Sequence, residues 1–323
     1  MVRVRIAGLG SYLPERRVHN DELAETLETS DEWIASHTGI RYRRIAAETE
    51  SPSSMAIEAS RLALKNAGVA ADELGMILLS SSTPDYAPIP PTSCVLHEAI
   101  CAKNAVAMDT AAACSGFIFN LEMARGYMQF QKRPALIVAT EMMSRVIDWS
   151  DHKTCVLFGD AAAAAVLVPT EGNSRIIDSY ICADGTGKDV LKIEGGCRTQ
   201  QSRAAHNPVM LYMDGRAVFT FAIRIIPDIV NVLLKNNGLV LDDIDWFVSH
   251  QANYRIIRSA ATRLKVPEQR FFTNLQDVAN TASASVPLAL HEMEQKGLLK
   301  TGMKIMTLGF GAGLTFGGNL IEW

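Results

Sequence analysis

The stretch DTAAACSGFIFNLEMA, residues 109–124, decides how this chain folds. Three alanines lead into Cys114, then Ser-Gly, then a run whose apolar residues lie on more than one helical face. Such a run reads as a helix buried inside a domain. The preceding AVAMDTAAA reads as a buried strand, so Cys114 falls where a strand gives way to a helix. A thiol at a helix N-terminus meets unpaired N–H groups and the positive dipole end, which favour thiolate. Small neighbours leave a substrate room to reach the sulfur. A free cysteine is also a common small core residue, and at this point both readings stand. Cys94, Cys101, Cys155, Cys182 and Cys197 lack this setting and read as structural.

Outward from Cys114 the pattern alternates. VRVRIAGLGSYLP, MILLSSST, ALIVAT and AAAAAVLV read as strands. TSDEWIASHTGI and SPSSMAIEASRLALKNAGV carry hydroxyl residues at their starts, and the second closes on Gly68, so both read as helices. Past the polar PTEGNS segment the order recurs. RAVFTFAIRIIPDIVNVLLKNNG, ANYRIIRSAATRLKV and SVPLALHEMEQKG are helical, IDWFVSH is a strand, and KIMTLGFGAGLTFGGNLIEW gives two strands around a glycine turn. Alternating strands and helices predict an α/β fold in two halves, 1–170 and 171–323, with a repeated order that suggests internal duplication. The polar, Gly-rich region 184–213 has no readable period and is expected to be a long excursion.

The 323 residues are 48% hydrophobic and suit one large domain or two fused halves. A formal charge of −4 argues against a general nucleic-acid binder. No C-x-x-C pair points to zinc. The start lacks a signal peptide's apolar segment, and no uninterrupted apolar run approaches the roughly 20 residues of a membrane span. These features predict a soluble cytoplasmic protein with reduced thiols.

Two further side chains sit where α/β folds gather ligands. His250, in FVSHQANYRI, follows an apolar strand; alone it reads equally as a surface or core histidine. Asn280, in DVANTASASVPLAL, precedes a helix and alone reads as a cap. The glycines of LGFGAGLTFGG suit a tight hairpin, or a backbone N–H brought close to a developing oxyanion.

Together and in order, these segments resemble the ketoacyl-ACP synthase III family of the thiolase fold. GLGSYLPERRVHNDEL and TSDEWIASHTGIRYRRIA are similar to its N-terminal signature, DTAAACSGF to its nucleophile segment and FGDAAAAAVL to its mid-chain strand. HQANYRII, NTASASVPLAL and GFGAGLTFG are similar to its C-terminal motifs. The resemblance covers nearly the whole chain. It implies a five-layered α/β/α/β/α fold with internally duplicated halves, usually a homodimer. It also implies a Cys-His-Asn set at Cys114, His250 and Asn280, and the decarboxylating condensation of an acyl thioester with malonyl-ACP to a 3-oxoacyl-ACP, without metal or redox cofactor. The resemblance further implies that Cys114 takes the acyl group, that the N–H groups of Cys114 and Ala312 hold the oxyanion, and that His250 and Asn280 donate to the enolate oxygen. Phe310 shapes the pocket or is a plain structural aromatic. Arg255 receives the acidic acyl carrier protein or is an ordinary solvated arginine, and Asn253 is placed with it in the carrier-binding group.

Trp33 matches the tryptophan that clamps the adenine end of coenzyme A in this family, whereas His37 and His152 stand where arginines are expected. Imidazole replaces a guanidinium fork only in part, so weaker coenzyme A binding and a carrier-bound donor are expected. Thr220 stands where some members have a lysine. Ala312 breaks the glycine triplet and keeps its role only if its backbone needs no glycine-only dihedral. Ile89 stands where members of this family often carry a residue that lines the partner subunit's acyl pocket, and an isoleucine in place of a bulky aromatic predicts room for longer or branched chains.

Three other readings are weighed against this one. A ketosynthase-III-like acyltransferase or condensing enzyme of specialised metabolism shares the scaffold; simple acyl transfer releases no carbon dioxide. A papain-like protease also orders Cys, His and Asn, but carries its cysteine near the mature N-terminus in a different context. A non-catalytic scaffold has no need to retain all three reactive positions.

Overall fold

The structure is a computed structural model and describes residues 2–86, 89–193 and 210–323. The chain first forms β1 (Arg3–Tyr12), β2 (Arg16–His19), α1 (Asn20–Ala24), α2 (Asp31–Thr38), β3 (Tyr42–Ile45) and α3 (Pro52–Ala67). There follow β4 (Met76–Ser80), α4 (Thr92–Ala99), β5 (Val106–Thr110), α5 (Gly116–Tyr127), β6 (Ala135–Glu141) and β7 (Ala161–Thr170). After the turn at 171–174 come β8 (Arg175–Ala183), β9 (Leu191–Ile193), β10 (Leu211–Met213), α6 (Gly215–Asn237) and β11 (Trp246–Ser249). The remainder is α7 (Tyr254–Leu264), α8 (Leu275–Val278), α9 (Ser285–Gln295), β12 (Lys304–Gly311) and β13 (Thr315–Glu322).

The larger sheet runs β1-β7-β6-β4-β5 and the smaller β11-β12-β13-β8. Counted within its own half, the first sheet has the strand order first, fifth, fourth, second, third. The second sheet repeats it with β8, β13, β12 and β11, and its third place is held by the parallel bridge from Phe247 to Phe271. Strand directions agree: the first and fourth strands are antiparallel to the fifth, while the second is parallel to the fourth and third. The duplication expected from the recurring segment order is therefore visible as topology.

The layers follow from which faces are apolar. α5 and α9 lie between the sheets, α5 against β4, β6, β12 and β13, α9 against β1, β7 and β11. Their buried Phe117, Ile118, Leu121, Val286, Ala289 and Leu290 belong to one core cluster. α3 covers the outer face of the first sheet, and α6, with α7 beside it, that of the second. The result is α/β/α/β/α. β4, β6 and most of β7 are wholly buried because helices cover both faces. α3 begins on a Ser51 cap with Pro52 at its first position and ends on Gly68 at φ 64°, as its sequence predicts. It lies so close to β1 that a β-carbon at Gly8 or Gly10 would strike the backbone of Ala59, Ala63 or Ala67.

α6 is long and apolar enough to cross a membrane by length and composition. Phe221, Ile225, Ile226, Ile229, Val230 and Leu233 instead pack it into the core. In the region read as an excursion, β9 pairs with β10; residues 194–209, with Cys197, lie outside the described residues.

Candidate active site

Cys114 sits in a 3-10 turn, Ala113–Ser115, that feeds α5. The corresponding turn of the second half, Ala282–Ala284, feeds α9. Each opens on an alanine with positive φ, 44° at Ala113 and 46° at Ala282. Ser283 thus occupies in the second half the place that Cys114 occupies in the first. The end of β12 closes on the Cys114 turn. A β-carbon at Gly311 would lie 2.7 Å from the Cys114 nitrogen and 3.1 Å from its Cβ, so only glycine permits this approach. The Thr315 hydroxyl accepts a hydrogen bond from Ser115 (2.8 Å) and lies 3.0 Å from the Ala112 carbonyl, joining the two turns.

His250 follows β11, its N–H donating to the Leu308 carbonyl at 2.7 Å. Its Nδ1 is 2.7 Å from the Ser285 hydroxyl, which itself accepts from the Gln251 N–H. The Ser285 proton is therefore free to go to Nδ1, leaving Nε2–H for the cavity. Phe310 meets the imidazole edge-on at 5.1 Å. Asn280 Oδ1 accepts from the Ala282 N–H at 2.9 Å, which leaves its amide NH2 as the free donor. The local Asx contact expected of a capping asparagine is present, and it serves to aim the side chain.

Cys114, His250, Asn280, Phe310 and Gly311 line one cavity of about 380 Å³, together with Trp33, which is 42% exposed. The cavity therefore runs from the surface to the thiol, and its walls are mostly apolar, among them Leu157, Phe158, Val218 and Phe219. Burial pushes the Cys114 thiol up to about 12, with the charge of Glu141 adding to it; the residue's own backbone hydrogen bond pulls the other way. Burial pushes His250 down to about 3. The resting pair is thus thiol and neutral imidazole. Burial and the Glu141 charge thus oppose the thiolate expected from the helix end.

The remaining candidates separate. His152 and Asn253 line the cavity. Asn253 caps α7 by accepting from the Arg255 N–H at 2.8 Å and donates to the His37 carbonyl. His37 is not in the cavity wall; it stacks on Trp33 at 4.3 Å with Nδ1 2.7 Å from the Trp33 carbonyl. Arg255 lies in a separate surface groove with Arg258 and Arg263, and Thr220 in another beside Arg216 and Arg224. Ala312 does not line the cavity, Gly311 being the turn residue that does; its φ is not positive, so alanine is accommodated without strain. Ile89 is 79% exposed and does not line the cavity of its own chain. Sequence reading missed Lys153, which lines the cavity beside His152 and supplies a cation there. It also missed Ser285, whose place in a Ser/Ala-rich segment reads only as a cap. Among the described residues no cluster of three or more His, Cys, Asp or Glu side chains is placed to hold a metal.

Two family profiles match: 3-oxoacyl-[acyl-carrier-protein] synthase III over residues 108–185, and the C-terminal region of the same enzyme over residues 234–323. The β-ketoacyl-[acyl-carrier-protein] synthase III of Clostridium beijerinckii is 42% identical over 328 residues, covering 100% of both chains. The enzyme of that name from Ehrlichia canis is also 42% identical, with 100% of both chains covered. Among solved structures, the 3-oxoacyl-[acyl-carrier-protein] synthase III of Aquifex aeolicus superposes with a TM-score of 0.92 at 36% identity, over 99% of this chain and 100% of that one. The priming β-ketosynthase of the R1128 polyketide biosynthetic pathway superposes with a TM-score of 0.90 at 36% identity, over 98% and 96%. A duplicated fold, a half-buried thiol sharing one cavity with a histidine and an asparagine, and relatedness along the whole chain agree: the chain belongs to the 3-oxoacyl-[acyl-carrier-protein] synthase III family.

Proposed function

We propose that this chain catalyses the decarboxylating condensation of an acyl thioester with malonyl-ACP to give a 3-oxoacyl-ACP, the step that initiates fatty acid synthesis. The observation carrying this reading is the single apolar cavity shared by Cys114, His250 and Asn280, with His250 Nδ1 and Asn280 Oδ1 already engaged elsewhere. The Cys114 sulfur attacks the thioester carbonyl; the C–S bond to the carrier breaks and the thiol proton leaves with the carrier thiol. The Cys114 N–H and the 311–312 turn stabilise the oxyanion. Malonyl-ACP then loses carbon dioxide. His250 Nε2–H and the Asn280 amide hold the enolate oxygen, and the carbanion attacks acyl-Cys114. The new C–C bond replaces the C–S bond, and the sulfur takes up a proton. No step requires a metal or redox cofactor. The two units are 1–170, carrying Cys114, and 171–323, carrying His250 and Asn280.

The enzyme works in the cytoplasm, a reading supported by five free cysteines among the described residues. Arg255, with Arg258 and Arg263, offers the acidic carrier a basic groove, with Asn253 fixing the start of that helix. A homodimer is supported by β5, an edge strand of the larger sheet on which Val106 and Met108 are exposed. In the dimer Ile89 reaches the partner's pocket. Val106→Asp with Met108→Asp is expected to convert a species of twice the chain mass into monomer in analytical ultracentrifugation; a monomeric parent protein sinks the dimer.

A second reading, starter loading in specialised metabolism with a carrier-bound donor, is favoured by His37, whose ring covers one face of Trp33. Lys153, His152 and Trp33 remain at the cavity for the donor's phosphopantetheine arm. A panel of acyl-CoA and acyl-ACP donors of increasing chain length against malonyl-CoA and malonyl-ACP tests both readings. Carbon dioxide release with a 3-oxoacyl-ACP product supports condensation, and acyl transfer without carbon dioxide overturns it. Preference for a long acyl-ACP over acetyl-CoA selects the second reading.

A further inference from the structure

Glu141 is the last residue of β6 and is wholly buried. One carboxylate oxygen accepts from the Ser82 N–H at 2.9 Å, with the Thr83 hydroxyl at 3.4 Å. The other accepts from the Ser283 hydroxyl at 2.5 Å, with the Ser283 N–H and the Ser82 hydroxyl at 3.4 Å. Among the described residues no ion pair reaches it; hydroxyl and backbone N–H donors hold it. Ser82 and Thr83 follow β4 in the first half. Ser283 belongs to the second half and sits three residues after Asn280, so Glu141 clamps the two halves together beside the reacting atoms.

The clamped segment has a backbone that alanine adopts with strain, φ 60° at Ala279 and 46° at Ala282. The Ala282 N–H holds Asn280 Oδ1. Any relaxation of the 282–284 turn therefore rotates the Asn280 amide away from the cavity. We propose that Glu141 is a positioning residue for Asn280: by gripping Ser283 it locks the strained turn that aims the asparagine donor at the enolate oxygen. The inference rests on the role given above to Asn280.

The test separates two half-reactions: carbon dioxide release from malonyl-ACP, which needs the enolate donors, and mass gain of Cys114 from an acyl thioester, which does not. In Glu141→Gln an NH2 faces donors that a carboxylate would satisfy. Decarboxylation is expected to fall about 10²-fold, as for an ångström-scale misplacement, and self-acylation by less than about threefold. Ser283→Ala, which removes one hydroxyl and leaves the fold's packing, is expected to lose about tenfold in decarboxylation alone.

The pH profile adds a readout that a purely structural role would not move. Burial raises Glu141 to about 7, so it is protonated below that pH and one oxygen ceases to accept. Its titratable neighbour is Cys114, on the turn before α5; from β4 and the 282–284 turn it is met by serines and a threonine. Cys114 at about 12 and His250 at about 3 lie outside the window. Parent decarboxylation is expected to fall between pH 8 and 6, and that of Glu141→Gln to stay flat at its low level. Folded Glu141→Gln and Ser283→Ala proteins that decarboxylate at the parent rate overturn the inference; if Glu141→Gln does not fold, Ser283→Ala decides. If Asn280→Ala itself decarboxylates normally, it is the reading of Asn280 that fails.

Discussion

Cys114→Ser is expected to abolish both the mass gain from an acyl thioester and all condensation, while malonyl-ACP decarboxylation stays within a few-fold of the parent. The serine hydroxyl has the right size and place but needs a base, and none is available. His250 is pushed down to about 3 by burial, and its Nδ1 is engaged by Ser285. Sulfur reacts without full deprotonation beforehand because its thiolate is intrinsically nucleophilic at small population. A missing general base costs about 10²–10⁴-fold, so the loss on replacing sulfur by oxygen is at least that large. The raised thiol also sets a sign. Below about 12 the thiolate fraction grows tenfold per pH unit, so single-turnover acylation of the parent rises with pH across the neutral range. A serine variant that still gains the acyl mass, or an acylation rate that falls as pH rises, refutes Cys114 as the nucleophile.

Local signals survive well from sequence to structure. The Ser51 cap, Pro52 and Gly68 bound α3 where the sequence places them, and the runs MILLS and ALIVATE are central strands buried on both faces. Cys114, His250 and Asn280 were legible because each sits beside an element boundary, where a small or polar residue interrupts an apolar run. What escaped is long-range. β8 is an edge strand of mixed exposure without clean alternation, so its period is blurred. The duplication shows in the sequence only as a recurring order of segments, because each half fills its layers with different side chains while keeping strand order and direction. Lys153 and the Val156–Phe158 segment reach the cavity only because the chain folds back from β6 to β7, which no local pattern encodes. Glu141 looks in sequence like the polar end of a strand; its burial and its grip on Ser283, 142 positions away, exist only in three dimensions. The burial that opposes a Cys114 thiolate escaped for a related reason: a helix end is visible in sequence, and the cavity that desolvates the sulfur is not.

Asn280→Ala and His250→Ala are expected to leave self-acylation of Cys114 within a few-fold of the parent and to stop the reaction at the acyl-enzyme. Both variants enlarge the cavity but leave the Cys114 turn and its N–H in place, so the first half-reaction keeps its parts. The second half-reaction places negative charge on a thioester oxygen in an apolar cavity, where water is a poor substitute for fixed donors. Removing one preorganised donor from such a site costs about 10²–10³-fold. Decarboxylation and condensation should both fall by that factor, and acyl-enzyme should accumulate in intact-mass spectra. Asn280→Asp sharpens the argument. It keeps the oxygen that accepts from Ala282 at 2.9 Å but replaces the amide donor with a carboxylate oxygen facing the same enolate. Like charges then meet in a low-dielectric cavity, so the aspartate variant should decarboxylate more slowly than alanine at neutral pH, despite its near-identical shape. An aspartate variant faster than alanine would mean that Asn280 serves only to shape its turn, and that the enolate draws its hydrogen bonds from elsewhere in the cavity.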